Sequence, residues 1–285
     1  MPSVKNTKVL FMGTPLFAAP SLDKLITEGY SIVGVVTQPD KPTGRDKTLT
    51  PPPIKQLAGK HRLPVFQFTK LNTEAIQTIV ELKPDVIVLV AFGQLLPPAL
   101  LDIPKFGVIN LHPSLLPAYR GPAPIQTAIL NGEKRTGLSL MLLDAEMDHG
   151  PILAQKTFDI LEDDTTESLT NSLACEGAEF LAAVLPQYLR GETKPQTQDH
   201  SVATYTRRLT RQDAQINWQD PAEKIYNQVR AYYPWPGAWV YSAGKVVKIL
   251  KTHLDAGELI IDTVQPEGKQ PMSYNDYLNG HQPLV

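Results

Sequence analysis

Hydrophobic and polar positions in the first half of the chain alternate between two periods. Near-continuous apolar runs rich in Val, Ile and Leu at residues 8–12, 30–37, 86–91 and 106–112 predict strands buried on both faces. Residues 16–28 read as a helix ended by Gly29, with Thr14 as its N-cap and Pro15 at the first helical position, where a missing N–H does no harm. Asn72 caps a second helix that runs to about Leu82. Strands alternating with helices predict an α/β, Rossmann-like, mostly parallel sheet with helices on both faces.

Two further strands are expected at residues 138–143 and 152–158, then a long helix over 166–190 with Gly191 ending it. The pattern then weakens. Residues 191–210 are polar and carry Pro195, the signature of a linker. Beyond it, a helix at 222–231, a turn-rich Tyr233-Pro234-Trp235-Pro236-Gly237, strands at 238–241, 246–253 and 258–264, and a short helix capped by Ser273 predict a small β-rich unit. The expected division is a large domain over 1–193, a linker over 194–211 and a small domain over 212–285.

Composition narrows the classes. A chain of 285 residues has room for one large and one small domain. No apolar run approaches the ~20 residues of a membrane span, and residues 1–8 hold no signal-like apolar stretch. Cys175 is the only cysteine, which excludes an intrachain disulfide and a cysteine metal cluster. A cytoplasmic monomer with neither membrane nor DNA as partner is expected. A net charge of −2 leaves any nucleic-acid contact to local basic patches. The turn after the first strand reads Gly13-Thr14-Pro15, not Gly-x-Gly-x-x-Gly, so a dinucleotide site of the usual kind is not expected.

The candidate chemistry lies at the end of the 106–112 run. Asn110 and His112 are two apart, so in a strand they project from one face. An amide and an imidazole then share one space. An aspartate folding back to meet them would complete a set able to polarise a carbonyl, relay a proton and hold a charge. Without chemistry, the same residues are a strand end with a buried histidine and a turn-capping aspartate.

The residues that follow change the weighting. Asn110-Leu111-His112 runs into Ser114-Leu115-Leu116-Pro117-Ala118-Tyr119-Arg120-Gly121, with Asp148-His149-Gly150 further on. This resembles the folate-dependent formyltransferases over nearly the whole chain. Phe11-Met12-Gly13-Thr14-Pro15-Leu16-Phe17-Ala18, the stretch from Thr37 to Arg45 and Arg120-Gly121-Pro122-Ala123-Pro124-Ile125-Gln126 are similar to the branch that formylates methionyl-tRNA. The resemblance implies transfer of a formyl group from 10-formyltetrahydrofolate to the amine of methionine on initiator Met-tRNA. It implies Asn110, His112 and Asp148 as the catalytic residues.

It further implies a folate site at Ser114, Leu115, Leu116 and Pro117, with the pterin against Val90, Ala91, Phe92 and the loop of Asp144. It implies tRNA contacts from Lys41, Arg45 and Lys47 in the long polar segment 38–53, and from Arg207, Arg208 and Arg211 in the linker. Phe17 is a candidate for the methionine pocket. No metal is expected: Asp144, Asp148, His112 and His149 lack a familiar ligand spacing, and formyl transfer has no step that requires one. The small domain resembles the family's OB-like β-barrel but has room for only about one strand between His253 and Gln265, so a shortened or open barrel is expected. Two other readings stay open: a formyltransferase for a sugar amine or other small amine, and a tRNA- or folate-binding protein without catalysis.

Overall fold

The computed structural model describes residues 4–44 and 46–284. By internal contacts the chain divides into two compact units: Met1–Arg120, Gly137–Thr157 and Asn171–Thr204 form the first, and Gly121–Thr136, Phe158–Thr170 and Tyr205–Val285 the second.

The elements in chain order are β1 (Lys8–Gly13), α1 (Ala19–Thr27), β2 (Ser31–Thr37), β3 (Lys41–Thr43), β4 (Thr48–Thr50), α2 (Pro53–Lys60), β5 (Val65–Gln67), α3 (Thr73–Leu82), β6 (Val86–Val90), α4 (Pro98–Leu101), β7 (Val108–His112) and α5 (Pro124–Leu130). Then come β8 (Arg135–Leu142), β9 (Ile152–Asp159), α6 (Thr166–Leu189), α7 (Ala222–Ala231), β10 (Trp239–Ser242), β11 (Lys245–Asp255), β12 (Glu258–Pro266), β13 (Met272–Ser273) and α8 (Tyr274–Leu278).

Seven strands form one sheet in the order β5-β2-β1-β6-β7-β8-β9. From β5 to β7 every pairing is parallel; β8 returns antiparallel to β7, with Asn110 opposite Met141 and His112 opposite Ser139. The chain winds outward from β1 to β2 on one side and to β6 on the other. The boundary between β1 and β6 is therefore a switch point, where α/β sheets open a crevice beyond the strand carboxyl ends. Gly13 makes that approach possible, because a Cβ there would fall 2.9 Å from Ala18 Cβ and 3.0 Å from the Val90 carbonyl oxygen. One cluster of this core joins Leu10, Met12, Val36, Ile87, Leu89 and Val108 to Ile79 of α3 and to Phe92 and Leu100. The near-continuous apolar runs follow from burial on both faces.

Thr14 does not cap a helix. Residues 16–18 form a 3-10 turn with no side-chain cap, and α1 starts only at Ala19 with Pro20 in its first turn. The Thr14 hydroxyl instead donates to the Phe92 carbonyl at 2.9 Å and accepts from the Gln38 N–H, joining the loops after β1, β2 and β6. Asn72 does cap α3, accepting from the Ala75 N–H at 3.1 Å. The polar segment 38–53 contains the short hairpin β3–β4. In the segment after α6, Gln196 pairs with Ile152 and Gln198 is buried, both within the first unit.

The second unit holds an open four-stranded antiparallel sheet, β10-β11-β12-β13. Ala243-Gly244 and Ala256-Gly257 turn the two hairpins with φ of 48° and 77°, and 49° and 88°. Both central residues have positive φ, as a type I′ turn requires. Ile225 and Val229 of α7 join Val247, Ile249, Ile261 and Val264 in the core of this unit.

Candidate active site

Asn110 and His112 are 6% and 5% exposed at the carboxyl end of β7, and the pleat puts both side chains on one face. The loop between β8 and β9 brings Asp148 to them. Its turn is tight: a Cβ on Gly150 would collide with the Leu142 carbonyl, and Asp148 itself sits at φ 49°. Asn110 Nδ2 donates to Asp148 Oδ1 at 3.3 Å, and His112 Nδ1 lies 3.7 Å from the same oxygen. His112 Nε2 is 3.0 Å from the Tyr119 carbonyl. A carbonyl only accepts, so Nε2 carries the proton. In the neutral ring Nδ1 is then a lone pair, free to take a proton and become a donor facing a carboxylate.

Backbone contacts hold this arrangement. Tyr119 N–H donates to Thr204 Oγ1 at 2.8 Å, Arg120 N–H to the Thr204 carbonyl at 2.9 Å, and Thr204 N–H to the Pro117 carbonyl at 3.2 Å. The Arg120 guanidinium, 1% exposed, donates through Nε and Nη2 to Gln198 Oε1 at 3.2 and 2.7 Å. Gln198 Nε2 donates to the carbonyls of Asp148 and Gly150 at 2.9 and 2.7 Å. Neither Arg120 nor Gln198 stood out in the sequence as a site residue. They are 78 positions apart, and no local period connects them.

The other expected site residues are placed as follows. Ser114 is buried, and its hydroxyl donates to the Ala118 carbonyl at 2.6 Å. Leu116 is also buried; its N–H donates to Ser139 Oγ and its carbonyl accepts from Gln155 Nε2. The loop's backbone is thus largely braced from within, and Leu115 and Pro117 are its partly exposed side chains. Val90 and Phe92 are buried, Phe92 in the sheet core; Ala91, at φ 48°, is the exposed residue of that strand end. Asp144 accepts from the Glu146 N–H at 3.0 Å and lies 2.7 Å from His149 Nδ1, so it shapes the loop that carries Asp148. Phe17 is buried ahead of α1.

Lys41 lies exposed on β3 and Lys47 exposed in the turn before β4; Arg45 lies outside the described residues. In the second unit Arg208 is exposed, Arg211 lies over the Trp239 ring at 5.9 Å, and Arg207 makes a two-pronged pair with Asp213. Hydrogen bonds from Arg207, joined by those from Thr210, hold the Asp213 carboxyl well below the usual carboxylate range. Among the described residues no group of three or more His, Cys, Asp or Glu side chains could hold a metal ion, and no helix is long and apolar enough to cross a membrane.

The carboxyl end of a mostly parallel sheet thus brings an amide, an imidazole and a carboxylate together, and comparison with known proteins places the chain among the formyl transferases. Residues 5–185 match the formyl transferase family and residues 208–259 the formyl transferase C-terminal domain. The chain is 44% identical to the methionyl-tRNA formyltransferase of Chloroflexus aurantiacus, with 96% of each chain covered. It is 40% identical to that of Bacillus subtilis, with 96% of this chain and 95% of the relative covered. The chain belongs to the methionyl-tRNA formyltransferase family. Solved structures share the fold at lower identity. The Clostridium thermocellum methionyl-tRNA formyltransferase superposes with a TM-score of 0.64 at 18% identity, covering 91% of this chain and 98% of that one. A Helicobacter canadensis N-formyltransferase, solved with folinic acid and dTDP-3-aminofucose, gives 0.69 at 21%, covering 87% and 88%.

Proposed function

We propose that the protein transfers a formyl group from 10-formyltetrahydrofolate to the amino group of methionine on initiator Met-tRNA, through Asn110, His112 and Asp148. The observation that carries this reading is the convergence of Asn110 and His112 on Asp148 Oδ1 at the end of β7, in a chain of this family.

The steps follow from the donors and acceptors present. The neutral amine attacks the formyl carbon; the new C–N bond forms, and the carbonyl π electrons move onto oxygen. Asn110 Nδ2 has a second N–H besides the one given to Asp148, and this donates to the oxyanion. The amine's surplus proton passes to His112 Nδ1, because Nε2 is already protonated toward Tyr119. Asp148 holds the resulting imidazolium. When the oxyanion collapses, the bond to N10 breaks and N10 takes the proton back from Nδ1, so it leaves as a neutral amine. The products are formylmethionyl-tRNA and tetrahydrofolate.

Ser114, Leu115, Leu116, Pro117, Ala91 and the Asp144 loop border the folate in this reading, and Phe17 backs the methionine side chain. Lys41, Arg45, Lys47, Arg207, Arg208 and Arg211 supply tRNA contacts. The test offers labelled 10-formyltetrahydrofolate together with Met-tRNA, free methionine or an amino sugar. Label on Met-tRNA alone supports the proposal; preferential labelling of the sugar amine overturns the acceptor assignment.

A further inference from the structure

Gln198 spends both ends of its side chain. Its oxygen accepts twice from the buried Arg120 guanidinium, and its nitrogen donates to the backbone carbonyls on either side of His149. Those carbonyls belong to Asp148 and Gly150. Asp148 has a left-handed backbone, a conformation that an aspartate holds only when its surroundings fix it. A second link runs parallel. Arg120 Nη2 donates to His200 Nδ1 at 2.9 Å, the His200 ring stacks on His149 at 3.8 Å between centroids, and His149 lies 2.7 Å from Asp144. One buried arginine therefore holds the segment 198–200, and that segment contacts the 144–150 loop at Asp148, His149 and Gly150.

We propose that Gln198, fixed by Arg120, is a positioning residue for formyl transfer: it sets the backbone of Asp148 so that the carboxylate meets Asn110 and His112. The inference rests on the reading of Asp148 as catalytic. Neither Gln198 nor Arg120 need touch substrate. Their effect passes through one carboxylate, whose displacement by about 1 Å is enough to cost on the order of 100-fold in rate.

The discriminating variant is Gln198→Glu. Its carboxylate still accepts from Arg120, so the buried cation keeps its partner. The group facing the Asp148 and Gly150 carbonyls changes from a donor to an acceptor, which repels the loop. Formyl transfer to Met-tRNA is measured in single turnover and steady state for the wild type, Gln198→Glu, Asp148→Asn and the double variant, after thermal melts have shown each to be folded. The expected result is a loss of about 100-fold in kcat for Gln198→Glu, with KM for the formyl donor and for Met-tRNA within about twofold. The double variant should be no more than about twofold slower than Asp148→Asn, because a residue acting through Asp148 has nothing left to position.

A general structural role would instead raise both KM values or give losses that multiply in the double variant, and either result overturns the proposal. So does Gln198→Glu with kcat within threefold of wild type. If Gln198→Glu does not fold, Gln198→Met, which removes the donor to the loop and the acceptor for Arg120 together, is taken through the same cycle with Asp148→Asn under the same criteria. Full activity in Asp148→Asn would refute the catalytic reading itself; inactivity there with an unaffected Gln198→Glu would refute only the positioning.

Discussion

One nitrogen of His112 is committed to a backbone carbonyl, and in the proposed mechanism that commitment leaves the other nitrogen to carry the proton. Three expectations follow. Asn110→Ala removes an oxyanion donor and should lower kcat by 10²–10³-fold, about 2.7–4 kcal/mol of transition-state stabilisation. His112→Ala and Asp148→Ala should lower it at least as far, and the triple variant should be little slower than the slowest single one, since such residues act as a unit. Steady-state kinetics on proteins with unchanged melting curves check this, and near-normal kcat in any single variant would remove that residue from the mechanism. Two neighbouring arginines of the second unit, Arg207 and Arg208, should behave differently. Arg207 is paired with Asp213, whereas Arg208 is exposed. Asp213 titrates lower in the folded protein than in the unfolded chain, so its pairing stabilises above about pH 4 and is lost as pH falls further. Arg207→Ala should therefore lower the melting temperature at pH 7 and by progressively less as the pH is taken below 4, while Arg208→Ala should leave it unchanged throughout. A shift that stays constant as the Asp213 carboxyl is titrated would contradict the pairing.

Strand β7 shows why part of the site was legible in the amino-acid sequence. The period of two is local, so Asn110 and His112 could be placed on one face from their spacing alone. Asp148 is 38 positions from Asn110, and only the family pattern joined them. Gln198 carried no signal and Arg120 only that of a family pattern with no role attached, because polar residues far apart in sequence look solvated until tertiary contact buries them. Thr14 misled for a related reason. A threonine before a proline is a good cap by local rules, but its hydroxyl found the Phe92 carbonyl instead. The caps and turns that the fold does use make testable elements. Asn72→Ala should destabilise by about 1 kcal/mol in chemical denaturation, with unchanged activity. Ala243 and Ala256 occupy left-handed positions that asparagine tolerates better, so Ala256→Asn should stabilise by about 0.5–1 kcal/mol; a destabilisation would mean the hairpin turn is not type I′.

The two units divide the substrate problem in the proposed function. The chemistry needs only residues of the first unit, while the arginines from 207 to 211 belong to the second and Lys41 and Lys47 to a hairpin of the first. With a net charge of −2, tRNA binding rests on these local patches. kcat/KM for Met-tRNA should then fall steeply with salt while KM for the formyl donor changes little, and Arg45→Ala should flatten the salt slope by ~1. An unchanged slope would make the 38–53 segment solvated surface. The most direct test of the account is the single-turnover transfer of labelled formyl from 10-formyltetrahydrofolate to Met-tRNA by the wild type and by Asp148→Asn, each saturated with both substrates. The account predicts label on the methionine amine, with the aspartate variant slower by at least about 100-fold. Equal rates for the two proteins, or no label on Met-tRNA from the wild type, would contradict it.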